Sequence, residues 1–189
     1  MKLVTYQSAG SETPRAGISV DGRIVDLANG AAKLGLSAPD TVVGLLATGA
    51  PASAVAARVA AAAAANEIET VAEQEVTLLA AVPNPPTVFL LAANYQSHIT
   101  ESGAPPVDKS VITPRPFIKP GTAVIGNGDP IVIPADSDTL DYEIEIAAVI
   151  GTAGKTIALE SANDHVAGYV VFNDISARSL KISQGRIER

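Results

Sequence analysis

The amino-acid sequence predicts an α+β protein, with a small α+β domain over residues 1–82 and a mainly β domain over residues 83–189. The boundary is predicted by prolines at positions 83, 85 and 86, which exclude a helix and favour an extended linker. The second domain contains many short apolar runs separated by turn residues, which is typical of β-rich domains. The first domain contains no obvious group of residues suited to catalysis or ligand binding, so we expect it to have a structural or lid-supporting role.

The first domain is expected to combine short strands with two helices. Asp21-Gly22 predicts a type I′ turn between two strands, because both turn positions need a positive φ. Ser37 resembles a helix N-cap with Asp40 three residues later, and Gly49 is expected to end that helix. An Ala-rich run predicts a second helix over residues 51–66. The predicted strands cover residues 3–6, 17–20, 23–27 and 74–82.

The second domain is expected to consist of short strands with little helix. A helix over residues 94–102 would be ended by Gly103. One or two helical turns are expected over residues 160–166. The predicted strands cover residues 87–92, 115–119, 122–125, 130–133 and 168–173, together with the strand that carries Glu143 and Glu145.

The central motif of the chain is this last strand. Side chains alternate along a strand, so Glu143 and Glu145 should share one face, about 6.6 Å apart. Residues 146–150 are apolar at every position, which predicts a strand covered on both sides. Two carboxylates at a buried strand end repel each other, so either one is protonated or both share a cation. A wet strand end with two solvated carboxylates is the open alternative.

Three groups of residues are candidates for chemistry. With Asp174 after the next strand, Glu143 and Glu145 form an all-oxygen set, and with no Cys or paired His such a set suits Mg²⁺, Mn²⁺ or Ca²⁺.

His98 and Glu101 are three residues apart on one helix face, so the carboxylate can orient the imidazole and raise its basicity. An exposed helix pair without function is the alternative. Lys119, Arg178 and Lys181 could hold a carboxylate substrate, although singly each is an ordinary surface charge.

Composition excludes several classes of function. The net charge is −7 and no basic cluster occurs, which argues against a nucleic-acid partner. The absence of Cys excludes disulfides and thiolate metal sites, and it is compatible with a reducing cytoplasm. Neither a signal-peptide core nor an apolar run of spanning length occurs, so we expect a cytoplasmic protein without a membrane partner.

Four sequence blocks of the second domain form a recognisable set. They are Asn94-Tyr95-Gln96-Ser97-His98-Ile99-Thr100-Glu101, Pro116-Phe117-Ile118-Lys119-Pro120, Asp141-Tyr142-Glu143-Ile144-Glu145, and Gly168-Tyr169 with Asn173-Asp174-Ile175-Ser176-Ala177-Arg178. In their order and spacing these blocks resemble the fumarylacetoacetate hydrolase family. The four together are specific, and the resemblance covers residues 83–189. The preceding region is similar to the small N-terminal domain of many bacterial members. The resemblance implies a β-rich roll that is usually dimeric.

The resemblance also implies roles for individual residues. Glu143, Glu145 and Asp174 match the metal ligands of the family, which are used with Mg²⁺ or Mn²⁺. His98 and Glu101 match its water-activating dyad, on a segment that orders as a lid over substrate. The expected substrate-binding residues are Lys119, Arg178, Tyr95 and Lys181. Ser179 and Lys181 depart from the family pattern, in which an acidic residue and a Gln are usual.

Members of this family cleave C–C bonds in acylpyruvates and related β-diketo acids, decarboxylate oxaloacetate-like acids, or isomerise unsaturated oxo acids. The resemblance therefore implies a metal-dependent hydrolase of a 2,4-dioxo acid, such as a fumarylpyruvate- or fumarylacetoacetate-like compound. A decarboxylase or isomerase of an oxo-dicarboxylic acid on the same metal site is the alternative. A third reading is a fragment that binds a partner and has no chemistry of its own.

The resemblance implies that about the second half of the family's catalytic domain is not included in residues 1–189. A half-roll would leave open strand edges and an uncovered core. We therefore expect a complementary C-terminal polypeptide that completes the fold, in addition to the homodimer that the resemblance implies. The polar tail over residues 181–189 suits an exposed, cleavable loop.

Overall fold

The computed structural model describes residues 1–48, 50–101, 103–179, 181–183 and 186–188, and it shows the predicted mixture of helices and strands. The strands are β1 (Lys2–Ser8), β2 (Arg15–Val20), β3 (Arg23–Asp26), β4 (Val71–Ala72), β5 (Val76–Leu78), β6 (Val88–Ala92), β7 (Arg115–Lys119), β8 (Leu140–Asp141), β9 (Ile144–Ile150), β10 (Val166–Asn173), β11 (Ser176–Ala177), β12 (Lys181–Ser183) and β13 (Arg186–Glu188). The helices are α1 (Leu27–Lys33), α2 (Val42–Thr48), α3 (Ala50–Ala64) and α4 (Gln96–Glu101), with 3₁₀ helices at Glu73–Glu75, Gly121–Ala123 and Leu159–His165. No helix in this described part is long and apolar enough to cross a membrane.

The chain divides into two compact units. One combines Met1–Ala81 with Gly126–Arg189, and the other is Val82–Ile125. The predicted division into residues 1–82 and 83–189 stays a prediction. Within the smaller unit β6 and β7 pair antiparallel, and Gly103 after α4 has the positive φ of 80° expected of a helix stop.

An antiparallel sheet in the order β4-β3-β2-β1-β5 forms the centre of the larger unit. Asp21 and Gly22 have φ values of 47° and 74°, which confirms the predicted turn between β2 and β3. Helices α1 and α3 pack together on this sheet. Their close approach depends on Gly30, where a Cβ would lie 2.7 Å from the Val59 Cγ1. The largest fully buried side chains of the chain belong to this core: Ile18, Ile24, Leu27, Val25 and Val59.

The predicted N-cap at Ser37 is wrong. Helix α2 begins at Val42, and the Thr41 Oγ1 accepts from the Gly44 N–H at 3.1 Å. The reason is Pro39, because a residue that precedes a proline is disfavoured in helical conformation and the first turn could not form there. Gly49, the predicted end of this helix, lies outside the described residues.

A partly buried polar cluster connects the sheet to α1. The Tyr6 Oη donates to the Asp26 Oδ2 at 2.8 Å, and the Arg15 Nη2 donates to the Asp26 Oδ1 at 2.9 Å. Asp26 also caps α1 by accepting from the Asn29 N–H at 2.8 Å. Burial raises the pKa of the Tyr6 hydroxyl to about 12, and its hydrogen bond to Asp26 adds to this effect. Burial opposes the ionisation of Asp26, but the hydrogen bonds from Arg15, Asn29 and Tyr6 outweigh it and lower its pKa.

The raised pKa of Tyr6 predicts a loss of stability at alkaline pH. The folded state keeps the phenolic proton above the ordinary pKa of 10.0, so this stability is complete below that pH and is lost as the pH rises through about 12. We expect urea unfolding to show a loss on the order of 2 kcal/mol over this interval. Tyr6→Phe should remove that part of the alkaline loss, whereas Tyr142→Phe, at an exposed tyrosine, should not. An equal alkaline loss in wild type and Tyr6→Phe would contradict the prediction.

Strands β9 and β10 form a two-stranded antiparallel hairpin in which alternate side chains are exposed. The more shielded face of β9 carries Glu145, Ala147 and Val149. The opposite face carries Ile144 and Ile146, which are 60% and 69% exposed. The prediction of a strand covered on both sides is therefore wrong for this chain. A run of apolar residues indicates that a strand is built to be covered, but it does not show that the covering residues belong to the same chain.

Candidate metal and substrate site

Glu143 and Asp174 lie side by side at the open end of the β9–β10 hairpin, where hydrogen bonds connect the two segments. The Asp174 N–H, just after β10, donates to the Glu143 carbonyl at 2.8 Å. The Glu143 N–H, just before β9, donates to the Asn173 Oδ1 at 3.1 Å. Glu145 follows on β9 opposite Phe172 and lies on the same, more shielded face as Glu143. The two-residue period of the strand therefore places the two glutamates as the sequence predicts. The pairing of β9 with β10 brings Asp174 beside them.

The chemistry of these side chains fits a hard divalent cation. Asp174 is buried, and the Glu143 Oε1 is shielded from solvent without making a hydrogen bond of acceptable geometry. Carboxylate oxygens are typical ligands of hard divalent cations, but in this structure the partner of the Glu143 Oε1 is the Arg178 guanidinium. Within the described residues, however, no three His, Cys, Asp or Glu side chains converge on one point as metal ligands. Their assignment as metal ligands stays a prediction.

Arg178 is the cation beside these carboxylates. Its Nε and Nη2 both lie 3.0 Å from the Asp141 Oδ2, and its Nη2 also forms an ion pair with the Glu143 Oε1. The pairing of β8 with β11 brings Arg178 here, because Ser176 lies opposite Asp141 in the register. From the sequence we expect Arg178 to bind substrate, and Asp141 has no predicted role. The sequence did contain a signal for Asp141. It is two residues before Glu143 and four before Glu145, so in an extended segment all three side chains point to the same side.

Ser179, where the family pattern has an acidic residue, connects two loops of the larger unit. Its Oγ lies 2.8 Å from the Ser137 Oγ and accepts from the Asp138 N–H at 3.2 Å. Ser137 is itself buried and donates to the Thr139 carbonyl at 3.0 Å. In this chain a hydroxyl therefore makes the connection between residues 137–139 and the end of β11.

His98 and Glu101 meet on α4 in the smaller unit. The His98 Nδ1 lies 3.5 Å from the Glu101 Oε2, and the side chains are 53% and 79% exposed. The three-residue spacing thus produces the expected contact. An exposed pair of this type contributes little to stability by itself. Its role as a catalytic dyad stays a prediction.

The remaining predicted substrate residues are spread over several elements. Tyr95 precedes α4 and is 40% exposed, and its carbonyl accepts from the Ile99 N–H at 3.1 Å. Lys119 ends β7 opposite Val88. Lys181 begins β12, but its side chain lies outside the described part of the structure.

Comparison with known proteins now identifies the family. The family profile described as "Fumarylacetoacetate (FAA) hydrolase C-terminal" matches residues 87–187. The chain belongs to the fumarylacetoacetate hydrolase family. The match covers the four sequence blocks, so the predicted resemblance is confirmed.

Curated relatives from this family match almost the whole chain. The oxaloacetate tautomerase fahd2 of Xenopus laevis mitochondria is 33% identical over 186 residues, which are 97% of this chain and 54% of the relative. The Rattus norvegicus tautomerase Fahd2a is 32% identical over 188 residues, covering 98% and 56%. The chain therefore spans about half the length of the curated relatives it matches.

Solved structures show the same fold. A probable 2-hydroxyhepta-2,4-diene-1,7-dioate isomerase from Mycobacterium abscessus is 30% identical with a TM-score of 0.61, covering 95% of this chain and 54% of that one. A fumarylacetoacetate hydrolase from Exiguobacterium antarcticum is 26% identical with a TM-score of 0.64, covering 94% and 57%. A maleylpyruvate hydrolase from Sphingobium, solved with manganese(II) and pyruvate, is 24% identical with a TM-score of 0.67, covering 94% and 60%. The expected α+β fold of the family is thus confirmed.

Proposed function

We propose that this chain carries the metal-binding part of an enzyme that hydrolyses a C–C bond in an acylpyruvate or another 2,4-dioxo acid. The observation that carries this proposal is the junction of Glu143 with the buried Asp174 at the end of the β9–β10 hairpin, where the Asp174 N–H donates to the Glu143 carbonyl. Family membership supports the general class of reaction. To this general class we add a specific substrate, which is a fumarylpyruvate- or fumarylacetoacetate-like compound.

Glu143, Glu145 and Asp174 would hold Mg²⁺ or Mn²⁺, with Ca²⁺ as a third candidate. The cation would act as a Lewis acid toward the substrate oxygen that gains negative charge when the C–C bond breaks. Arg178 and Lys119 would balance the charge of the substrate carboxylates, with Tyr95 and Lys181 as further contacts. The Mn²⁺ and pyruvate bound by the Sphingobium hydrolase make Mn²⁺ the first ion to test.

His98 and Glu101 would perform the proton transfers. The His98 imidazole accepts a proton from water while Glu101 orients the ring, and the hydroxide attacks the carbonyl carbon distal to the carboxylate. The bond between that carbon and the neighbouring methylene breaks, and its electron pair passes to the pyruvate fragment. The methylene carbon then takes up one proton, which gives pyruvate and a carboxylic acid.

Isomerisation or decarboxylation of an oxo-dicarboxylic acid is the second candidate. It is favoured by the names of the relatives, which are oxaloacetate tautomerases at 32–33% identity and a probable isomerase at 30%. Decarboxylation needs a stabilised enolate but no attacking water, so it can proceed without the His98–Glu101 pair, whereas isomerisation still needs a group that moves a proton.

Assays with Mn²⁺ distinguish these candidates. With an acylpyruvate, hydrolysis should consume the enol absorbance and release one pyruvate per substrate. With oxaloacetate, a tautomerase changes the enol absorbance without pyruvate, whereas a decarboxylase releases pyruvate and carbon dioxide. Turnover of oxaloacetate alone would replace the hydrolase proposal by the second candidate, and inactivity on both substrates would favour a non-catalytic, partner-binding fragment.

We also propose that a further polypeptide covers the exposed side of the hairpin. This apolar hairpin face consists of Ile144, Ile146, Ile150, Tyr169 and Val171, which are 60–74% exposed. Monomeric proteins seldom expose such a patch, and a two-stranded hairpin is marginally stable alone. Because the chain spans 54–56% of its curated relatives, the proposed occupant is a polypeptide equivalent to the part that it does not span.

Denaturing mass spectrometry of material purified from the native source should therefore show a second polypeptide whose sequence matches the rest of the family domain. Val171→Lys should reduce the amount of this second polypeptide that copurifies with the chain at least about tenfold, because an unpaired charge buried in the contact is costly. Val132→Lys, a matched change at an exposed position outside the apolar hairpin face, should have no effect. In native mass spectrometry, a species with twice the 19.2 kDa chain mass would indicate a second copy instead, and a cooperatively melting monomer would exclude both partners.

A further inference from the structure

A single side chain connects the first residue of α4 to the loop that follows this helix. The Gln96 Nε2 donates to the Val107 carbonyl at 3.1 Å, and the Gln96 Oε1 accepts from the Val107 N–H at 3.0 Å. The orientation of the amide follows from its partners, because only this one joins each donor to an acceptor. Gln96 therefore pairs with the backbone of Val107 as a neighbouring strand would, and we call this contact the Gln96 bridge.

The course of the loop leads it back to the start of α4. Gly103, with a φ of 80°, reverses the chain after the helix. Pro105 and Pro106 have a fixed φ and no N–H, so the returning segment is extended and stiff. Four extended residues reach up to about 14 Å, which exceeds the roughly 9 Å length of a six-residue helix. Val107, where the bridge forms, is half-buried, whereas the other residues of 103–114 are exposed.

The segment closed by the bridge contains both residues of the predicted dyad. His98 and Glu101 lie on α4, between the bridge and the reversal at Gly103. The helix has six residues, and helices of this length are unstable by themselves. Ile99 attaches it through burial, and the bridge adds a second attachment at its first residue. The placement of the pair therefore depends on contacts outside the helix.

We propose that Gln96 is a positioning residue for the His98–Glu101 pair, which acts by attaching residues 104–107 to the start of α4. This inference rests on the proposed function, since it takes the pair as the catalytic dyad. It assigns to Gln96 a contribution to turnover that depends on His98 and involves no contact with substrate.

Hydrogen exchange of the 189-residue chain tests the bridge without substrate. Gln96→Met removes both hydrogen bonds with little change in side-chain length. The amide of Val107, and that of Ile99 in the first turn of α4, should then exchange at least about fivefold faster. Gln96→Glu at neutral pH keeps only the acceptor and should have a smaller effect. Ser97→Ala, at an exposed position of the same helix, should change neither amide more than about twofold.

The amides of β6 and β7 should exchange as in the wild type in all three variants. This control separates a local effect on α4 from a general loss of stability.

Steady-state kinetics tests the positioning role itself. Gln96→Met should lower kcat for acylpyruvate hydrolysis about tenfold, because a misplaced catalytic group loses rate steeply with distance. KM should stay within about twofold. In the His98→Ala background the same substitution should change kcat by less than about twofold, since Gln96 acts through His98.

The outcomes separate the inference from the proposed function. An unprotected Val107 amide in the wild type would mean that the bridge is absent. Faster exchange with an unchanged kcat, or an equal loss of kcat with and without His98, would show that the positioning role is wrong. A wild-type enzyme without acylpyruvate turnover would overturn the proposed hydrolase and the positioning role with it, while hydrogen exchange would still show whether the bridge exists.

Discussion

Glu143→Ala should abolish Mn²⁺ binding by this chain. The Glu143 N–H donates to the Asn173 Oδ1 and its carbonyl accepts from the Asp174 N–H, so the backbone that carries this carboxylate is held at the candidate site. Removal of residues that merely support metal ligands costs about 10–100-fold in affinity, so loss of a ligand should cost at least about 100-fold. Calorimetric titration measures the Kd, and turnover of the substrate should fall in parallel.

The control for this variant is Glu160→Ala. Glu160 is an exposed carboxylate in the 3₁₀ helix Leu159–His165, and its loss changes the net charge by the same amount. We expect its Kd for Mn²⁺ to equal that of the wild type. If Glu143→Ala also binds Mn²⁺ with unchanged affinity, Glu143 is not a ligand, and the alternative of two solvated carboxylates at a wet strand end is favoured.

His98→Ala should lower turnover of the acylpyruvate by about 10²–10⁴-fold, the usual contribution of a positioned general base. Mn²⁺ affinity should remain unchanged, because an imidazole that activates water is not needed to hold the ion. Steady-state kinetics with a parallel calorimetric titration separates the two effects. Decarboxylation of oxaloacetate should depend far less on His98, since that reaction uses no attacking water.

His165→Ala is the matched control, because His165 is the other histidine of the chain. Its Nδ1 lies 2.9 Å from the Thr152 carbonyl, a contact that belongs to a loop of the larger unit. Turnover by this variant should match the wild type. Unchanged turnover in His98→Ala would remove His98 from the mechanism and leave its pair with Glu101 as an exposed helix contact.

Local patterns explain which parts of the fold were predictable. The Asp21-Gly22 turn and the stop at Gly103 follow from backbone conformations that few residues adopt, so short motifs are enough to predict them. The Ser37 cap was wrong because a second local effect, the proline at position 39, opposed it. Helix α1 was missed because Asp26 both ends β3 and caps the helix, and strand propensity alone does not show this double use.

For the candidate site, the sequence by itself determined which residues share a surface. The two-residue period places Glu143 and Glu145 on one face, and the helical period brings His98 to Glu101. Both relations depend only on local geometry. Tertiary structure alone decided that Arg178, 37 residues after Asp141, pairs with that carboxylate and with Glu143. That contact depends on the register between β8 and β11, and the exposure of Ile144 and Ile146 depends on which polypeptide packs against them. Long-range pairing and burial of this kind are set by the whole fold, which no short motif specifies.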